Sequence, residues 1–84
     1  MRTLTLGAVK FYFLNVGEKL TQEHIYGTYA VAIVRIYVIW PRGNKWDLRY
    51  RKGKEWIVIS NNLFGSEYDA FNFANEHLMK DASH

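Results

Sequence analysis

The sequence predicts an α+β domain: an antiparallel sheet of three or four strands with one C-terminal α-helix packed on one face. Three observations carry this. Residues 28–40 form a long run dominated by Val, Ile and Tyr, the side chains that suit a pleated, half-buried surface. Residues 45–60, KWDLRYRKGKEWIVIS, alternate apolar and polar side chains about a glycine, as a hairpin does. From Ser66 onward, apolar residues recur at helical spacing behind a capping residue.

Composition bounds the rest. The chain of 84 residues reads as a single small domain over 1–84, able to bury about 60–65% of its unfolded surface. With 49% apolar and 17% aromatic residues, it has the makings of a packed core. The absence of cysteine excludes disulfides, thiolate chemistry and Cys-type zinc sites, and suits the reducing cytoplasm, the expected location. The N-terminus lacks the form of a signal peptide, because Lys10 interrupts its apolar run. YGTYAVAIVRIYVIW is too short for a membrane span and contains Arg35. It reads as a strand, and no membrane association is expected.

Residues 1–27 hold an N-terminal strand and a loop. LTL and VKFYFLNV are separated by Gly7, and the second run has the aromatics and valines of a strand. GEKLTQEHIYG is polar; Thr21 either caps one or two helical turns or sits in an ordinary loop. Residues 28–80 supply the main sheet and the helix. Strand 28–40 is expected to stop at Pro41, with W-P-R-G forming a type I turn.

Turn chemistry sets the next register. A three-residue loop Arg51-Lys52-Gly53 places Tyr50 opposite Lys54, Arg49 opposite Glu55, Leu48 opposite Trp56 and Trp46 opposite Val58. A two-residue Lys52-Gly53 loop puts Arg51 opposite Lys54, a like-charge pair, so the first register is preferred. It gathers Trp46, Leu48, Tyr50, Trp56 and Val58 inside and leaves Asp47, Arg49, Glu55, Ile57 and Ile59 outside. With Val34, Ile36, Val38 and Trp40 also inside, Arg35 and Tyr37 join Arg49 on the outer face. NNLFG ends the sheet. Ser66 then caps the helix, with Asp69 completing a capping box and an acidic first turn that suits the helix dipole. Ala70, Phe71, Ala74 and Leu78 form its buried stripe, and residues 81–84 are a tail.

Net charge is +3, but its distribution is uneven. From Arg35 to Lys54, seven basic residues face one acidic residue, a local balance of +6; from Glu55 to His84 the balance is −4. The domain should be electrically polar, with a basic hairpin and an acidic helix. Enzymatic readings lack parts. His24, His77 and His84 make no H-x-x-x-H pair and read as surface or edge residues. The carboxylates are scattered, and no glycine-rich phosphate loop occurs. A non-enzymatic binding role without metal or cofactor is therefore expected.

Clustered cations point to DNA. Arg35, Arg49 and Arg51 are candidates for base edges, Arg42, Lys45, Lys52 and Lys54 for phosphates, and Tyr37 for stacking. The plainer account of these charges is that strands need solvated faces and edge lysines deter aggregation.

The order strand, turn, KWDLRYRKGKEW, strand, then LFGSEYDAFNFANEHL resembles the AP2-like arm-binding DNA-binding domains of tyrosine recombinases, in which a basic hairpin leads to a Ser- or Thr-capped helix. It also looks like short uncharacterised bacterial β-β-β-α domains. The resemblance covers roughly residues 36–80. It implies a three-stranded sheet docking in the major groove of DNA, with Arg49 and Arg51 at the basic hairpin positions.

Ile57 and Ile59 on the outer face support a rival class, a protein-binding or self-associating module. Together with Tyr37 they form its expected interaction surface, beside a strand edge open to β-augmentation or a symmetric homodimer. A phage or mobile-element protein that binds and inhibits a host protein would have this form. The plainer account is that segment 9–16 covers the isoleucines.

Overall fold

The computed structural model describes residues 1–21, 24 and 35–82. Five strands form one sheet in sequence order: β1 (Arg2–Leu6), β2 (Val9–Phe13), β3 (Arg35–Arg42), β4 (Lys45–Lys52) and β5 (Glu55–Ile57), followed by the helix α1 (Glu67–Ala82). The α+β class and the C-terminal helix are as expected, although the helix continues through Ala82 into the tail expected over 81–84. The sheet has one strand more, and one of its four pairings is parallel: Val9 to Phe13 of β2 run alongside Arg35 to Ile39 of β3. Of the predicted strand over 28–40, residues 28–34 lie outside the described residues, as does Val34, placed inside with them.

The helix forms as its sequence dictates. The Ser66 hydroxyl accepts the Asp69 N–H at 3.0 Å, which satisfies one of the unpaired donors of the first turn. Ala70 and Ala74 are fully buried against the sheet, and Phe71 and Leu78 pack beside them. The small residues let α1 approach closely over Phe11, Tyr37, Ile39, Leu48 and Tyr50. Phe11, Tyr37 and Tyr50 stack in a row across three strands, with ring centroids 5.0 and 4.8 Å apart.

Two expectations about faces are overturned by the pairing. Tyr37 lies opposite Tyr50 and Ile39 opposite Leu48, so Tyr37 is fully buried under α1 rather than exposed on the outer face. Ile36, Val38 and Trp40 occupy the other face with Arg49 and Arg51. The reason is that β3 is central and covered on both sides: Ile36, Tyr37, Val38 and Ile39 are all buried. A strand buried on both faces reads as a continuous apolar run, and such a run carries no alternation to assign sides. Arg35, opposite Lys52, consequently belongs to the helix side.

The hairpin registers also differ from expectation. β3 continues through Pro41 to Arg42, and the chain turns at Gly43-Asn44, with Arg42 paired to Lys45. Pro41 is tolerated because the paired part of β2 ends opposite Ile39, so the missing N–H lies beyond that ladder. At the next turn, the loop is Gly53-Lys54, flanked by Lys52 opposite Glu55. Gly53 has φ +61° at the first loop position, where a two-residue turn of matching twist calls for glycine. Tyr50 therefore lies three residues along β5 from the partner expected of the preferred register, Ile57 in place of Lys54, and an odd slip reverses every side chain. Ile57 lies opposite Tyr50, and Ile59 packs into the cluster under α1, while Trp56 moves to the far face, opposite Arg51. The observed register sets Lys52 opposite Glu55, a pair of opposite charge, and covers Ile59.

Beyond β5 the chain returns to β4, where Trp46 and Phe64 exchange backbone hydrogen bonds of 2.9 and 2.8 Å. This bridge sets the starting point of α1. At the other end, the Arg2 guanidinium reaches both carboxylate oxygens of Glu67 and ties β1 to the first turn of the helix. Leu14, Leu20 and Met1 cover part of the second face, packing with Tyr12, Ile36, Val38 and Trp40. Among the described residues, no helix is long and apolar enough to cross a membrane.

Candidate nucleic-acid interface

The face opposite α1 is built by alternation along three strands. Along β4, Leu48 and Tyr50 point into the core, which sends Lys45, Asp47, Arg49 and Arg51 to the other side. Arg51 is directly opposite Trp56, and its guanidinium carbon lies 5.2 Å from the Trp56 ring centroid. Its Nε also donates to the Gly53 carbonyl at 3.4 Å. Arg49 reaches the opposite way, 5.7 Å over the Trp40 ring of β3. Consecutive outward arginines of one strand thus stack on tryptophans of the two flanking strands, an arrangement attractive through the ring quadrupole.

Asp47 is the acidic residue of this hairpin, and its charge is engaged. Oδ2 accepts from Arg42 at 3.0 Å and Oδ1 from the Leu48 N–H at 2.8 Å. Farther across the sheet, the Lys10 ammonium lies 5.2 Å over the Tyr12 ring. The acidic residues Glu67, Asp69 and Glu76 belong to α1, on the opposite side of the sheet, so the expected charge polarity is laid out across the sheet's thickness.

Among the described residues, two grooves flank Arg49. The first, of about 560 Å³, is lined by Val38, Trp40, Arg49 and Trp56 of the sheet, with Leu14 and Leu20 as its wall and Glu18 and Lys19 beside them in sequence. Trp56 is 45% exposed, leaving much of its indole surface open. The second, about 450 Å³, is more polar, formed by Arg42, Asp47, Val58 and the Ser60–Leu63 turn. Arg49 contributes to both.

Glu18 secures the wall of the first groove. Its carboxylate accepts the Asn15 N–H at 2.7 Å and the Met1 ammonium at 3.0 Å. The backbone hydrogen bond from Asn15, followed by that from the ammonium, holds its pKa below the ordinary glutamate range, since both favour the charged form.

The sequence-predicted contact residues divide between surfaces. Arg42, Lys45, Arg49 and Arg51 share the face opposite α1, and Lys54 occupies the adjoining turn. Arg35 and Lys52 face each other on the helix side of the sheet. Of the expected protein-binding surface, Tyr37 is interior and Ile59 packed, while Ile57 is 37% exposed at the β5 edge on the helix side. His77 is likewise no plain surface residue, because Nδ1 lies 2.7 Å from the Tyr37 hydroxyl. His24 is exposed and bonds Thr21, whose hydroxyl accepts the His24 N–H at 3.4 Å; His84 lies outside the described residues. Trp40 and Trp56, assigned to the core from sequence, are what this face adds. The charge pair Lys52 and Glu55 was the available signal for their register. Among the described residues, no three His, Cys, Asp or Glu side chains gather to hold a metal ion. Comparison with protein-family models, with curated proteins and with solved structures finds no match.

Proposed function

We propose that this chain is a non-enzymatic, cytoplasmic DNA-binding protein that engages its ligand through the sheet face opposite α1. The observation that carries the reading is the pairing of Arg49 with Trp40 and Arg51 with Trp56 on one face. Phosphates attract clustered guanidinium and ammonium groups. The indoles hold the arginines against the sheet and add surface on which bases stack. Arg42 and Lys45 extend the cationic surface, and Asp47 opposes it least because Arg42 already holds its charge.

Fluorescence anisotropy of labelled duplex and single-stranded DNA at low and near-physiological salt tests this. Wild type should bind, with log K falling against log salt by about 0.9 per duplex phosphate engaged, or about 0.7 per single-strand phosphate. The double variant Arg49→Ala/Arg51→Ala should bind weakly with a shallower slope. Failure of wild type to bind at low salt, or full affinity in the folded double variant, would sink the reading.

A second reading has its own observation. Ile57 and Val58 are 37% and 67% exposed at the β5 edge, and β5 is a three-residue strand with a side open to β-augmentation by a host protein or a second copy of the chain. Sedimentation of wild type and Val58→Asp tests it: a dimer that the substitution splits would favour this reading over DNA.

A further inference from the structure

The surface is the wrong shape for the major groove and the right chemistry for unpaired bases. Five strands at about 4.8 Å spacing span about 19 Å, whereas the major groove is about 12 Å wide and admits a helix or a two-stranded ribbon. Here the arginines are not on a projecting ribbon: β4 is flanked on both sides, by β3 and β5. Leu14 and Leu20 also stand against the same face as the groove wall. Leu14, Leu20 and Arg49 line the same groove, so a rigid duplex backbone laid on Arg49 would share that recess with the wall.

A single strand meets no such obstacle. Its bases are free to leave the backbone line and stack on indoles, which sequence-independent single-strand binders use as platforms beside a cationic track. The first groove offers Trp40 and Val38 on β3 and Trp56 on β5, with Arg49 of β4 between the two strands, apolar surface of base-binding character. The second is polar and contains Arg42 and the Asn61-Asn62 turn, groups suited to phosphate and sugar. Arg49 belongs to both, so a strand passing over it places bases on one side and backbone on the other. The cations at Lys19, Arg42, Arg49 and Arg51 complement such a strand along this path.

We infer that the Trp40–Trp56 groove binds single-stranded DNA through base stacking, in preference to duplex. This rests on the DNA-binding reading above and specifies which form of DNA the same face takes. The groove selects for bases that are already unpaired, because opening a duplex to fill it costs stacking energy that the groove must offset.

The test is competition anisotropy and tryptophan quenching with a mixed-sequence oligodeoxynucleotide, its duplex and the RNA of the same sequence. Three proteins are used: wild type, Trp56→Ala and Trp56→Phe, each checked for folding by circular dichroism. Wild type should bind the single DNA strand tightest, with quenching of its tryptophan emission. Trp56→Ala should lose about 5- to 150-fold in affinity for that strand with its salt slope unchanged, while Trp56→Phe, which keeps a ring, retains most of it. Equal or tighter binding to duplex or RNA, or unchanged single-strand affinity in Trp56→Ala, overturns the inference and leaves DNA binding standing. Absence of binding to every nucleic acid overturns both.

Discussion

The Tyr37 hydroxyl and the His77 Nδ1 meet at 2.7 Å between the central strand and α1, a polar contact beside a largely apolar cluster. Around it, the His77 ring lies edge-on to Tyr37 and Tyr50, at centroid distances of 5.8 and 4.8 Å. This hydrogen bond joins α1 to the central strand over a stack of aromatic rings.

Tyr37→Phe keeps the ring stack and removes the hydroxyl. The expected cost is about 1–2 kcal/mol, because the hydrogen bond to His77 in a partly buried place is lost. In a domain of this size that lowers Tm by roughly 4–8 °C per kcal/mol. Thermal unfolding by circular dichroism checks it, and an unchanged Tm would show the contact to be energetically idle.

Gly53→Val tests the β4–β5 register. With φ at +61°, a β-branched residue is strained in the left-handed region, at a cost of about 1–2 kcal/mol or more. Space is not the issue, as nothing lies within 4 Å of an added Cβ. Gly53→Asn should be milder, since asparagine tolerates this conformation. Urea unfolding of the two variants should rank them in that order; equal stability would argue against this turn.

Glu18 introduces a pH dependence whose sign follows from its partners. Its folded pKa is depressed by the Asn15 N–H and the Met1 ammonium. Its contribution is therefore fully present above the unfolded-state glutamate value and is lost as pH falls through the lower folded value. Thermal melts of wild type and Glu18→Gln should differ at neutral pH and converge in acid below the ordinary glutamate range. A gap that persists or widens in acid would contradict this assignment.

Asp47→Asn probes the charge balance of the proposed interface. The substitution leaves a side chain able to accept from Arg42 but removes the carboxylate from the cationic face. DNA affinity at low salt should rise, and the rise should shrink at high salt as screening grows. Weaker binding in the folded variant would mean that Asp47 positions Arg42 for contact rather than opposing the ligand.

By itself, the sequence determined the elements whose signals are local. Ser66 caps the helix whose buried stripe is Ala70, Phe71, Ala74 and Leu78, and the alternation of KWDLRY makes a strand with Leu48 and Tyr50 inward. The cationic stretch from Arg42 to Lys54 was equally legible, because charge needs no fold to be counted. Tertiary structure alone decided which cations share a surface and what accompanies them. β3 is buried on both faces, so no periodicity told Tyr37 from Trp40, and its parallel partner β2 is distant in sequence. The turn at Gly53-Lys54 then placed Trp56 rather than Ile57 on the face that carries Arg51. Since strand side chains alternate with period two, such a choice turns over a whole face, and here it put the tryptophans among the arginines.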